Sequence, residues 1–264
     1  MAVGRLKGGI GMQRVNILGV AVSDISENSA IEAILAMSRD RNKGHQVVTC
    51  NPEFVMLARR NADFAKILSA ADLVVADGKG VVLAKLLLGG KEQMRITGVD
   101  LVEKLCEESA KSAIAVGFLG GFGRVAEVVA KRQRGKNPKL LVTLAEPGDP
   151  AIGYDLRLRR LINAKKRIDI LFVAYGMGQQ EFWIERNRKF VNVGVFIGVG
   201  GAFDVLSTVK RRAPRFFARW GLEWLWRLFW EPARIWRMRV LPVFAILVFG
   251  QWFLRKFQKV ASFK

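Results

Sequence analysis

Two residue types that build many catalytic and metal centres are scarce in this chain. Its 264 residues contain two cysteines, Cys50 and Cys106, and one histidine, His45. Two cysteines are too few for a disulfide framework or a cysteine-based zinc site. With one histidine, a His-rich metal centre is excluded, and a Ser-His-Asp triad would have to use His45. The plainer expectation for His45 is a polar residue leading into a strand. No segment reads as a cleavable leader: the first 14 residues carry charge and glycine, but not the roughly 7–15 apolar residues such a segment needs. They are expected to form a flexible tail. Long apolar runs are also lacking. The longest, Val240–Leu254, has 15 residues and is interrupted by Pro242, Gly250 and Gln251. That is short of the ~20 residues a spanning helix needs, so a cytoplasmic location is expected.

Acidic residues are in short supply. There are 23 Asp and Glu against 43 Lys and Arg, giving a net charge of +20. Such an excess points to a polyanionic partner: nucleic acid, a phosphorylated lipid or an anionic membrane surface. Hydrophobic residues make up 51% of the chain, enough for a real core, which excludes intrinsic disorder. The charge is uneven. Residues 209–264 hold 13 Lys and Arg against Glu223 and Glu231, and six of the seven tryptophans. Composition divides the chain into a tail (1–14), a body (15–208) and a basic, Trp-rich, helical C-terminal appendage (209–264).

The body alternates between β-rich apolar runs and helical spacing. The runs are Val15–Val20, Gln46–Thr49, Asp72–Ala76, Ala113–Leu119, Lys139–Leu144, Ile168–Tyr175 and Val193–Val199. Between them, sets such as Ile31, Ile34, Leu35 and Leu101, Val102, Leu105, Cys106 recur at helical intervals. Strands alternating with helices predict an α/β fold with a Rossmann-like, mostly parallel sheet flanked by helices. In such sheets ligands bind beyond the carboxyl ends of the strands.

The polar residues at those ends are therefore the candidates. Thr49 and Asn51 stand before Pro52, which suits the first turn of a helix. Asp77 stands at the tip of an apolar strand, followed by Gly78 and Gly80, which allow close backbone approach. Arg95 precedes a helix, a place for a forked anion clamp. Gln180 and Glu181 follow the glycines at 176 and 178, able to bond sugar hydroxyls. Each position has an ordinary structural reading as well: helix capping, a turn, a surface charge or a first-turn acid.

One stretch points elsewhere. Gly121-Phe122-Gly123-Arg124-Val125-Ala126 opens a helix after a strand, with Glu146 some 20 residues on, which is the outline of a dinucleotide fingerprint. A glycine turn at a helix start would serve the diphosphate of a nucleotide sugar equally well. In the appendage, Arg227, Arg234 and Arg237 would share one helix face and could grip a diphosphate. The interleaved tryptophans favour a membrane interface. Arg and Trp could also stack on single-stranded nucleic acid, but the apolar run Val240–Leu254 suits lipid better.

With these residues in view, the chain resembles the WecG/TagA/CpsF family of bacterial glycosyltransferases from about Val15 to Arg239. The motifs are Thr49-x-Asn51, Asp77-Gly78-x-Gly80-Val81, Arg95-x-x-Gly98-x-Asp100, Gly120-Gly121, Gln180-Glu181, Gly198-Val199-Gly200-Gly201-x-Phe203-Asp204, Arg212-Ala213-Pro214, Leu222-Glu223-Trp224 and Glu231-Pro232-x-Arg234-x-x-Arg237. The resemblance implies inverting transfer of a sugar from a UDP-sugar to a polyprenyl-diphosphate-linked acceptor, at the cytoplasmic face of the membrane, peripherally bound. It implies neither a metal nor a cofactor. By the same resemblance Asp77 is the base, and Thr49, Asn51, Arg95, Gln180, Glu181, Gly120 and Gly121 line the sugar and nucleotide pocket. Arg212, Arg227, Arg234 and Arg237 are placed at the diphosphate. An ordinary aspartate, with pKa ~3.9, is a weak base unless its site raises that value.

Expected partners are the donor, the lipid acceptor and an anionic inner-membrane surface, not nucleic acid; assembly with further copies of the chain is left open. The chain departs from the family pattern Gly-x-Pro-Lys-Gln-Glu at Gly176-Met177-Gly178-Gln179-Gln180-Glu181. The heavy Arg/Trp appendage tilts the expected product toward exopolysaccharide and the donor toward a hexose such as UDP-glucose, with an N-acetylmannosamine-type sugar as the other choice. The alternatives are an NAD(P)-dependent oxidoreductase using Gly121–Ala126 and a non-catalytic membrane or nucleic-acid binding protein.

Overall fold

A computed structural model of the chain describes residues 3–5, 11–40, 43–207 and 239–261. Its centre is a six-stranded sheet built from β4 (His45–Cys50), β5 (Leu73–Ala76), β6 (Ala115–Gly120), β7 (Leu141–Glu146), β8 (Ile168–Ala174) and β9 (Val193–Gly198). The order is β5-β4-β9-β8-β6-β7, and each neighbouring pair is parallel. All six strands therefore end on one edge. The six later β-rich runs of the sequence correspond to these strands within two residues at each end.

Strand side chains alternate between two cores, as the period of two requires. Val47, Val116, Phe118 and Phe172 face one layer, packed under α1 (Glu27–Ser38), α5 (Gly98–Lys111) and α6 (Val125–Lys136). Val48, Cys50 and Val74 face the other, against α2 (Pro52–Ala58), α3 (Ala62–Ala70) and α4 (Lys79–Leu87). Leu119, Leu171 and Phe196 continue that second layer under α7 (Asp155–Asn163) and α8 (Gln179–Asn187). The predicted helical sets fall as expected: Ile31 and Ile34 are buried on α1, and Leu101, Val102, Leu105 and Cys106 on α5. His45 leads into β4, with Nδ1 2.9 Å from Asp72 Oδ1.

The amino-terminal region differs from expectation. The run Val15–Val20 is not one strand. It is broken by a turn at Leu18 and Gly19, whose φ values are +50° and +97°, so that β2 (Gly11–Ile17) pairs antiparallel with β3 (Val20–Ser23). Residues 1–14 were expected as a tail. Instead Gly11–Arg14 belong to β2, and β1 (Val3–Arg5) pairs with it. Arg14 Nη2 donates to the Asp72 carbonyl at 2.8 Å, and Val15, Ile17, Val20 and Val22 are buried. That burial and that anchor fix the hairpin to the body.

The carboxyl-terminal end also differs. Val240–Ala261 forms a 22-residue helix, about 33 Å long at 1.5 Å per residue. Pro242 does not interrupt it, because it falls in the first turn, where no intrahelical N–H is needed. The window Val240–Phe257 is long and apolar enough to cross a membrane by length and composition. Here the helix lies on the body instead. Phe244 and Val248 enter the core beside Phe54, Val55 and Val81. Gln251 accepts from Leu18 N and donates to Asn16 O, and Arg255 donates to Leu88 O and Asn16 O. The other face, with Ile246, Phe249, Phe253, Leu254 and Phe257, is exposed.

Candidate active site

Four strand ends and the helices that follow them converge on the carboxyl edge of the sheet. After β4, Asn51 is the N-cap of α2, its Oδ1 accepting from Phe54 N, with Pro52 at the first helical position. The capping expected of Asn51 is thus real, and it fixes the side chain at the β4–α2 junction. Thr49 is buried, and its hydroxyl donates to Gly198 O at 2.9 Å. That bond ties the end of β4 to the end of β9.

Asp77 follows β5 directly and is half-buried. Its amide donates to Cys50 O at 2.8 Å, so it extends the β4–β5 pairing by one residue before Gly78 turns the chain with φ +98°. Gly80 has its own reason: a Cβ there would lie 2.9 Å from Pro52 Cγ, so only glycine lets the starts of α2 and α4 approach this closely. Ile96 N donates to Ala76 O, which brings half-buried Arg95 alongside the Asp77 turn. The loop carrying Arg95 is held from behind. Asp24 accepts from the amides of Lys91 and Glu92 and pairs with Lys85 Nζ at 3.0 Å, the two side chains being 3% and 1% exposed. Burial alone would raise the Asp24 carboxyl, but these amides and the ammonium outweigh it and hold it below the usual carboxylate range.

The glycines at the end of β6 are packing requirements. A Cβ on Gly120 (φ +113°) would stand 2.7 Å from the Ala174 backbone, and one on Gly121 2.7 Å from Val125. The strand, loop and helix of the dinucleotide outline are all present, with Glu146 at the tip of β7. Phe122, between Gly121 and Gly123, is 94% exposed.

Gln180 and Glu181 are placed differently from expectation. Both are fully buried and bonded within the protein rather than lining an open surface. Glu181 Oε2 accepts from Gly178 N at 2.7 Å, Glu181 Oε1 accepts from Gln180 Nε2 at 2.7 Å, and Gln180 Oε1 accepts from Gly200 N at 2.9 Å. Complete burial pushes the Glu181 carboxyl up to about 7, against the opposing pull of those donors. Burial also raises the Cys50 thiol, helped by the nearby charges of Asp77 and Glu181, so Cys50 is an inert thiol between two carboxyl groups.

Thr49, Asn51, Asp77, Arg95, Gln180 and Glu181 therefore gather around the ends of β4, β5, β8 and β9, while Gly120 ends β6 beside β8 and Gly121 follows it. Arg212, Arg227, Arg234 and Arg237 lie outside the described residues. Two sets of residues escaped the sequence reading. The Gly198 carbonyl accepts from Thr49, and the Gly200 amide donates to Gln180 Oε1; the glycine motif alone gives neither partner. The Asp24–Lys85 pair had no signal, because its partners are 61 residues apart. Chemically, the edge combines a half-buried carboxylate with the amino ends of α4, α5 and α8, whose dipoles favour negative charge. That is what removing a proton from an acceptor and receiving a departing phosphate would need.

A parallel α/β sheet with polar residues gathered at its carboxyl edge is an architecture shared by transferases and other nucleotide-dependent enzymes. The sequence comparisons decide which. The family model described as "Glycosyl transferase WecG/TagA/CpsF family" matches residues 15–258. The chain belongs to that glycosyltransferase family. It is 36% identical over 211 residues to a Bacillus spizizenii protein named N-acetylglucosaminyldiphosphoundecaprenol N-acetyl-beta-D-mannosaminyltransferase, covering 79% of this chain and 80% of that one. A Bacillus subtilis protein of the same name is 30% identical over 90% of this chain and 91% of its own length. A Staphylococcus aureus protein, also of that name, is 28% identical over 88% and 90%. These findings set aside the oxidoreductase and non-catalytic alternatives, and they give no support to a glucose donor: all three relatives are named for N-acetylmannosaminyl transfer.

Proposed function

We propose that the protein transfers an N-acetylmannosaminyl group from a UDP-linked donor to an N-acetylglucosaminyl-diphospho-polyprenol at the cytoplasmic surface of the membrane. The observation that carries this reading is the shared activity in the names of relatives that align over 79% or more of the chain. In this reading the acceptor hydroxyl oxygen attacks the anomeric carbon of the donor. The bond from that carbon to the diphosphate oxygen breaks, its electron pair leaves with UDP, and the hydroxyl proton passes to the Asp77 carboxylate. Direct displacement inverts the anomeric centre and accounts for a β product.

Asp77 suits the base because the Cys50–Asp77 backbone bond and the Gly78 turn hold it at the strand tip. Arg95, held by the Lys91 and Glu92 anchors on Asp24, offers positive charge to the donor diphosphate, as do Arg212, Arg227, Arg234 and Arg237 of the appendage. Thr49 and Asn51 form the wall at β4. The exposed apolar face of the C-terminal helix supports peripheral attachment to the bilayer holding its acceptor.

The test is incubation of full-length protein with N-acetylglucosaminyl-diphospho-polyprenol and a panel of UDP-sugars, with mass analysis of the lipid product. Addition of one N-acetylhexosamine from the mannosamine donor supports the reading. Addition of a hexose from UDP-glucose, or of nothing from any donor, refutes it.

A further inference from the structure

We infer that Gln180 and Glu181 act as positioning residues, a two-residue clamp that sets the spacing of the β8 and β9 loops at the edge where the donor is proposed to bind. This rests on the transfer reaction proposed above and assigns the pair a supporting role behind the ligand rather than contact with it.

The geometry is a directional chain. One end is the amide of Gly178, at the turn into α8; the other is the amide of Gly200, in the turn after β9. Both ends are backbone N–H groups and can only donate. The atoms facing them must accept, which fixes Glu181 Oε2 at one end and Gln180 Oε1 at the other. The Gln180 amide orientation follows, and its Nε2 must then point at an acceptor, which Glu181 Oε1 supplies at 2.7 Å. One glutamine beside one glutamate satisfies every position; two glutamines or two ionised glutamates do not.

The surroundings give the chain no slack. Gln180 is 1% and Glu181 0% exposed, so water cannot replace a lost partner. A Cβ on Gly198 would lie 2.6 Å from Gln180 Nε2 and 2.7 Å from Glu181 Oε1, so the end of β9 runs directly over the pair. Thr49 grips that same Gly198 from the β4 side. Gly178 and Gly200 have φ of +83° and +52°, conformations that glycine adopts readily. Burying a carboxyl group here is costly. A single structural cap on α8 would not need Gln180 to cross to the next strand's loop, and that crossing is what couples the two loops.

The test uses the full-length protein and three variants: Glu181→Gln, Gln180→Glu and the exchange Gln180→Glu/Glu181→Gln. In Glu181→Gln an N–H must face an N–H at one point of the chain; in Gln180→Glu two carboxyl groups face each other. In the exchange, Gly178 N donates to the residue-181 carbonyl oxygen, its amide nitrogen donates to the residue-180 carboxylate, and that carboxylate accepts from Gly200. Every bond is restored with the same composition. Each single variant is expected to lower kcat/KM for the donor by about 10- to 100-fold, the range set by one unmet buried polar group. The loss is expected as a rise in donor KM with acceptor KM unchanged, which simple loss of folded protein would not give. The exchange is expected to recover most of it. An exchange variant no better than the single ones, in an enzyme whose wild type is active, overturns the clamp. If wild type transfers no N-acetylmannosaminyl group, it is the proposed reaction that fails. The clamp is then read from amide hydrogen exchange at Gly178 and Gly200. Protection lost in both single variants and regained in the exchange supports it; protection not regained overturns it.

Discussion

Thr49 and Gly198 are joined by a 2.9 Å hydrogen bond from the threonine hydroxyl to the glycine carbonyl, although 149 residues separate them. The bond is buried, and it fastens β4 to β9 at the edge that holds Asp77. Thr49→Val keeps the shape but leaves the Gly198 carbonyl without this donor. The expected cost is about 1–3 kcal/mol, read by denaturant unfolding, with a fall in turnover. Thr49→Ser keeps the hydroxyl and is expected to retain most of both. Equal losses in the two variants would show that the hydroxyl is not what matters.

The loop that carries Arg95 depends on an ion pair on its far side. Lys85 and Asp24 are almost completely buried, and removing one partner of such a pair is strongly destabilising. Lys85→Met is expected to cost roughly 3 kcal/mol, at the low end because the Lys91 and Glu92 amides still hold Asp24. Thermal denaturation measures this. A variant as stable as wild type would mean that those two amides suffice.

Stability should respond to pH through Glu181. Its carboxyl lies at about 7 in the fold, raised by burial from an ordinary 4.5. The fold thus favours the protonated form. This contribution is complete below pH 4.5 and is lost as pH rises through about 7. The stability difference between Glu181→Gln and wild type should shift in favour of the glutamine variant across that interval, then level off. Melting temperatures at half-unit steps from pH 4.5 to 8 provide the check; a flat difference would place the group elsewhere.

The C-terminal helix has one face for the body and one for lipid. Phe244 is 4% exposed, whereas Phe249 and Phe253 are 58% and 48% exposed. Phe249→Glu/Phe253→Glu is expected to reduce co-sedimentation with anionic phospholipid vesicles at least several-fold while the melting temperature holds, because it removes apolar area at the interface and adds like charge. Phe244→Glu buries a charge among Phe54, Val81 and Pro52 and is expected to lower the melting temperature. Unchanged vesicle binding in the double variant would remove this face as the contact.

Much of the architecture was legible because parallel buried strands write themselves as continuous apolar runs. Gln46–Thr49, Asp72–Ala76 and Val193–Val199 needed no partner information to be found. The first run misled because Leu18–Gly19 turns the chain inside an apolar stretch, where sequence offers only one glycine as a marker. The last run misled because its helix continues past the uncharged stretch through Arg255 and Lys256. At the site, Asn51 and Asp77 were legible from the turn chemistry of Pro52 and Gly78. The direction taken by Gln180 and Glu181 was not. A polar residue after a glycine turn can face a ligand or the neighbouring loop, and only the position of Gly200, 20 residues away, decides it. The same limit hid the Thr49–Gly198 and Asp24–Lys85 partnerships, which depend on strand order and loop packing rather than on local pattern.

The central claim is that transfer takes place at the carboxyl edge with Asp77 receiving the acceptor's proton. Its most direct test is acceptor-dependent UDP release by Asp77→Asn, measured beside donor binding and melting temperature. The side chain is half-buried at a strand tip and carries no part of the apolar core, so the fold should stand. The expected result is turnover reduced by about 10²–10⁴-fold, the contribution of a positioned base, with donor binding and melting temperature close to wild type. Turnover near that of wild type in a folded Asp77→Asn enzyme would contradict the account.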